Sequence, residues 1–255
     1  MQDRYAGDIG DFGKYGLLRA LCGADEHGPA LKLGVLWYRV PNEEGKNDGR
    51  IIGYLNPPDD RLRQCDVPLF DSLRHLVKTD QRSVAQVQIG GILPSGTKFF
   101  ERDVPRGSRD RQRWLHAGHR MVEGADLVFV DPDNGLRSRG VDSSRTSVKH
   151  TYYDELRPLW DRNQSVVVYQ HATRHKGGFT KLIADLRVNL REQTGGAPDP
   201  IVLRWRRRQA RAYFILAAPQ HHEVIAARCS DLLQSAWGTR HRGYAHPHFA
   251  LVEDS

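Results

Sequence analysis

The feature that most constrains this chain is an alternation of two kinds of segment. Leu31–Tyr38, Ala125–Asp131 and Ser165–Tyr169 are short apolar runs that read as buried strands, and Val84–Ile89 reads as a weaker one. Between and beyond them, Asp11–Leu21, Phe70–Val77, Arg111–Val122, Tyr153–Trp160, Lys181–Leu190 and Val224–Trp237 repeat their apolar residues with the helical period. Strands separated by helices make a sheet whose two faces are both covered. The expected fold is therefore α/β, a Rossmann-like three-layer sandwich with a mostly parallel sheet of about seven strands. Ile201–Trp205 and Ala212–Ala217 are joined by a short Arg-rich link and predict an antiparallel C-terminal pair, with a last strand at Phe249–Val252. A chain of 255 residues can bury its core without staples, and a single domain over residues 1–255 is expected.

Composition narrows the functional class. Net charge is +7, from 38 Lys and Arg against 31 Asp and Glu, which favours a polyanionic partner, RNA or DNA. The longest apolar runs fall short of a membrane span, and Met1-Gln2-Asp3-Arg4-Tyr5 opens no signal peptide, so no membrane partner is expected. Three scattered cysteines, Cys22, Cys65 and Cys229, form neither a disulfide framework nor a CxxC pair and fit a reducing cytoplasm.

In sheets of this type, ligands bind beyond the carboxyl ends of the strands. The loops at Arg39–Gly49, Pro132–Arg145 and Gln170–Gly178 are therefore the places to look. Asp131-Pro132-Asp133-Asn134-Gly135 directly follows an apolar strand, which puts the Asp131 carboxylate at the crevice mouth, where it can position a substrate amine or a metal. The same residues also make a favoured turn. Gly7-Asp8-Ile9-Gly10-Asp11-Phe12-Gly13-Lys14-Tyr15-Gly16 sets four glycines around two Asp and one Lys ahead of a helix. Asp11 reads as the helix N-cap, and the glycines allow backbone to approach a ligand. Gly7, Asp8, Asn42 and Asp48 are the candidate cofactor contacts. His171, at the end of the Ser165–Tyr169 strand, suits phosphate, substrate or metal, and no HExxH zinc pattern surrounds it. Arg204, Arg206, Arg207, Arg208 and Arg211, with Trp205 among them, read as a phosphate clamp on a hairpin, or as its solvated tip.

Tyr5, Gly7, Asp11 and Lys14 leading into the first helix, Asp131-Pro132 after a central strand and the C-terminal strand pair together resemble the large-subunit (23S) rRNA adenine-N6 methyltransferase family. Asp133-Asn134 stands where that family has Pro followed by an aromatic. The resemblance implies a class I methyltransferase fold, S-adenosylmethionine as cofactor and an adenine drawn out of the stack as substrate. Asp131 would accept a hydrogen bond from the exocyclic amine, while Tyr5, Asp11, Lys14 and His171 complete the catalytic set. The competing expectation is a metal-dependent nuclease or phosphoesterase, with Mg²⁺ or Mn²⁺ on Asp8, Asp11, Asp131 and Asp133. A third is a nucleic-acid-binding protein that keeps the fold without the chemistry.

Overall fold

The computed structural model describes residues 1–42, 49–138, 147–193 and 199–253. The described elements run in the order α1 (Ile9–Cys22), β1 (Leu33–Trp37), α2 (Asp60–Arg63), α3 (Val67–Lys78), α4 (Val84–Ile89), β2 (Lys98–Phe100), α5 (Ser108–Met121), β3 (Leu127–Asp131), β4 (Gly135–Arg137), β5 (His150–Tyr152), α6 (Tyr153–Trp160), β6 (Ser165–His171), α7 (Gly178–Gln193), β7 (Ile201–Trp205), β8 (Arg211–Leu216), α8 (His222–Gln234) and β9 (Phe249–Leu251). Seven strands form one sheet in the order β2-β1-β3-β6-β8-β7-β9, and β4 and β5 pair separately. Strands β2, β1, β3 and β6 are parallel, while β8 runs antiparallel to both β6 and β7, and β9 is antiparallel to β7. The fold is the Rossmann-like sandwich that the alternation predicts.

The strands are buried on both faces, which is why they read as unbroken apolar runs. Leu127 and Phe129 of β3 pack into one core with α1, α3 and α8 residues such as Phe12, Phe70 and Ile225. Val128 and Val130 enter the opposite core with Trp114, Leu156 and Leu186 of α5, α6 and α7. The period-2 alternation of a strand thus feeds both layers.

Two local expectations are corrected. Val84–Ile89 is helical: Ser83 caps it by accepting from Gln86 N at 3.2 Å, and Val84 and Val87, one turn apart, are its buried residues. Six residues are too few to separate the two periods. The cap of α1 is Asp8, whose carboxylate accepts from Gly10 N at 2.9 Å, not Asp11. Asp11 lies one turn inside the helix, with its side chain free for other partners. Strands β2, β4 and β5, three residues each, leave no periodic signal in the sequence.

The glycines of α1 serve packing. A Cβ at Gly10 would fall 2.2 Å from the Arg211 guanidinium, at Gly13 2.6 Å from the Trp205 ring, and at Gly16 2.3 Å from the Trp237 ring. Spaced at i, i+3 and i+6, they open one face of the helix to these large side chains. Gly7, at φ +83°, faces Val77 of α3.

From β1 the chain moves outward to β2 and then crosses to β3 on the other side of β1. The carboxyl ends of β1 and β3 are therefore the point where the strand order reverses, with Trp37 in register with Asp131. Among the described residues, no helix is long and apolar enough to cross a membrane.

Candidate functional site

A crevice of about 210 Å³ opens at that point. Asp131 ends β3 and is 2% exposed. Its Oδ2 accepts from Lys14 Nζ at 2.9 Å, and the same ammonium lies 3.0 Å from Asp11 Oδ1. Lys14 sits one turn after Asp11 on α1, so the helix itself presents both groups to the strand end. The second Asp11 oxygen accepts from the Tyr15 hydroxyl at 2.9 Å. One cation is thus shared by two buried carboxylates.

Burial opposes the charge on Lys14, but Asp11 and Asp131 outweigh it and hold the ammonium protonated well above its ordinary range. Burial raises the Asp11 carboxyl, and neighbouring Asp131 adds to this, while Lys14 offsets part of it. The rings of Trp37 and Tyr169 lie 5.8 and 5.6 Å from Lys14 Nζ, adding cation–π attraction.

A second cation faces the first. Arg211 on β8 donates to the Tyr169 hydroxyl at 3.2 Å and to Asp8 at 3.4 Å. The Tyr169 hydroxyl is also 3.1 Å from His171 Nδ1. Asp8 accepts from Ile51 N at 2.9 Å as well, so its carboxylate is spent on structure. On the opposite wall, the Met1 ammonium donates to Tyr38 O at 2.6 Å and pairs with Asp133 at 2.7 Å, and Gln2 donates to Asp133 at 2.7 Å. Burial would raise the Asp133 carboxyl, but the ammonium and Gln2 hold it below its usual range.

The crevice therefore unites Tyr5, Asp8, Asp11, Lys14, Asp131, Asp133, His171 and Arg211. Gly7 lies outside it, against α3, because its positive φ serves the turn into α1. Asn42 also lies outside, accepting from Arg4 N at 3.5 Å. Asp48 is outside the described residues.

The arginine hairpin does not present five equivalent cations. Arg211 turns into the crevice, and buried Arg207 donates to His248 Nδ1 and to His246 O. Arg204 lies over the Phe179 ring at 5.1 Å. Arg206 is half-buried and Arg208 exposed near the tip. Only Arg204 and Arg211 belong to the strands; Arg206, Arg207 and Arg208 lie in the turn between β7 and β8, where the backbone reverses and Arg208 takes φ +60°, so the run does not form one cluster.

The proposed metal set shows a different geometry from an ion site. Lys14 Nζ stands between Asp11 and Asp131, and Met1 occupies Asp133. Among the described residues, the groups of ligand atoms close enough to share an ion are Cys65–His241–His248 and Glu26–His27–Asp231, both outside the crevice. Sequence reasoning did not single out Tyr169, Lys149 or Gln209 as crevice residues. Tyr169 carried a signal, a hydroxyl two residues before His171 at the end of β6; the others carried none. No family model, no curated protein and no solved structure matches the chain.

Proposed function

We propose that the chain is an S-adenosylmethionine-dependent methyltransferase acting on an exocyclic amine of a nucleic-acid base, with adenine N6 as the target of choice. The observation that carries this reading is the Asp131 carboxylate at the strand-order switch point, oriented through Oδ2 by Lys14. Further support comes from the placement of β8 between β6 and β7, which matches the reversed hairpin of class I methyltransferases.

Tyr38 O and the Asp133 carboxylate are acceptors of the kind that the aminoacyl ammonium of S-adenosylmethionine needs, but the Met1 ammonium fills them in the structure, so they do not offer that end of the cofactor a place. When bound, the cofactor supplies an electrophilic methyl group. The chain supplies placement and charge. Lys14 holds the Asp131 carboxylate in place through Oδ2. The Asp131 carboxylate then accepts an N–H of the amine, which turns the nitrogen lone pair toward the methyl and offers a destination for the proton released on transfer. Tyr5 and His171 line the crevice where a base would stack, taking the part of the aromatic absent from Asp131-Pro132-Asp133-Asn134. Arg206 and Arg208 reach outward as phosphate contacts. Three free thiols suit a reducing, cytoplasmic setting.

The nuclease reading is weaker on geometry, since Lys14 stands where Asp11 and Asp131 would share a metal. The test is calorimetric titration with S-adenosylmethionine, followed by mass spectrometry of adenine in RNA and DNA oligonucleotides. Binding and N6 methylation are expected, with Asp131→Asn slowing transfer by about 100-fold or more while cofactor affinity holds. Absence of cofactor binding overturns the reading. Mg²⁺- or Mn²⁺-dependent strand cleavage that Asp131→Asn abolishes would replace it with the nuclease.

A further inference from the structure

On the other side of the α1 N-terminus, away from the crevice, the chain between α8 and β9 returns to the junction of α2 and α3. There Cys65 Sγ and one ring nitrogen each of His241 and His248 lie within 4.8 Å of one another. Cys65 and His241 are half-buried and His248 fully buried.

The hydrogen bonding around them is poor in one place and good in another. The Arg61 carbonyl receives three donors: the Cys65 thiol at 3.4 Å, His248 Nε2 at 3.3 Å and Gln64 Nε2 at 3.5 Å. Three protons crowd one oxygen, and both N–H contacts are longer than an ordinary N–H···O bond. By contrast, His241 Nε2 donates to Ala236 O at 2.7 Å, which leaves its Nδ1 lone pair to accept from Gln64 Nε2 at 2.9 Å, a bond that an ion would displace. A ring that donates one N–H to a backbone carbonyl and presents the other nitrogen as a lone pair is how histidine is held for a metal.

We propose that Cys65, His241 and His248 bind Zn²⁺. One thiolate and two imidazoles are the donor set of a borderline-soft divalent ion, and three protein ligands leave a fourth tetrahedral position for water or for the Arg61 carbonyl. Binding releases the thiol proton. Coordination through His248 Nε2 moves that ring's proton to Nδ1, so the contact from Arg207 Nε has to open. Arg207 is thus a competitor of the ion for His248. The metal would pin the segment that carries Tyr244, whose ring lies between Arg61 and Arg207 at 4.3 and 3.9 Å, and so fix one wall of a groove of about 810 Å³. This site stands whether or not the chain transfers methyl groups.

The experiment measures metal in the purified full chain by mass spectrometry, then titrates the chelated protein with Zn²⁺ alone against a chromogenic competitor. About one Zn²⁺ per chain is expected, with removal lowering the thermal midpoint and add-back restoring it. Cys65→Ser and His241→Asn should each weaken Zn²⁺ binding by roughly 100-fold or more, and Arg207→Met should strengthen it. The chelation and add-back arm uses the unaltered chain, so a variant that fails to fold does not blur the result. A thermal midpoint unmoved by chelator and Zn²⁺, or Zn²⁺ affinity that survives both ligand substitutions, overturns the proposal.

Discussion

Among the described residues, the buried ion clusters around Arg111 and around Lys14 differ in how completely their charges are used. Arg111 of α5 meets Glu155 of α6 through two parallel hydrogen bonds of 2.6 and 2.8 Å, and its remaining donors reach Ser147 O and His150 O. Glu155 in turn accepts from Tyr38, Thr151 and Tyr152 N. The pair is saturated, and it locks β5 and α6 to α5. The Lys14 cluster has one ammonium for two carboxylates, and it lines an open crevice. A saturated pair stabilises an arrangement; an undersaturated one beside a cavity keeps acceptors for a ligand.

Removing each cation should separate the two. Arg111→Met leaves Glu155 buried and uncompensated and should cost about 3–5 kcal/mol in urea unfolding. Lys14→Met leaves Asp11 and Asp131 able to share a proton at the crevice edge, and should cost about 1–3 kcal/mol. Equal losses would dissolve the distinction.

His150 joins the two clusters, since its carbonyl holds Arg111 at 2.7 Å and its Nε2 is 3.2 Å from Asn134 Nδ2 in the crevice loop. Burial, reinforced by Arg137, pushes the His150 ring down to about 4, and burial with Arg162 does the same for His119. Both lie below the unfolded value of about 6.5, so the unfolded chain takes up protons first. Stability is then fully present above about pH 6.5 and is lost as pH falls through about 4. Thermal midpoints from pH 7.5 to 4.5 should fall, by roughly 2–4 °C per kcal/mol for a chain of this size. His150→Gln should flatten that slope; an unchanged slope would show that the link between the clusters is not titrated.

The smallest effect belongs to the surface. Arg206→Ala with Arg208→Ala should reduce the log–log salt slope of RNA or DNA binding by about 0.7–0.9 per lost contact. Arg204→Ala, whose guanidinium lies over Phe179, should change it less. A slope that moves equally for all three would restore the picture of a uniform clamp.

The alternation of apolar runs and helical periods was enough to locate most of the large sheet's strands, because strands buried on both faces cannot hide their composition. Asp131 and His171 were legible for the same reason: each ends such a strand, and parallel strands end together. The three-residue strands β2, β4 and β5 were not, since they hold too few residues to show a period. Nor was the helical state of Val84–Ile89, where Val87 and Ile89 suit the period of a strand and Val84 and Val87 that of a helix.

Chain order alone therefore determined the sandwich, the edge where a site can form and the carboxylate placed there. Tertiary structure decided the pairing. Lys14 reaches Asp131 across 117 positions, and Arg211 reaches Asp8 across 203. The hairpin arginines part to different faces, and Cys65 meets His241 and His248 from far along the chain. Local propensity acts over a few residues, while charge compensation and ligand geometry act through space, so only the folded chain sets which distant groups share a proton, a cation or a cavity.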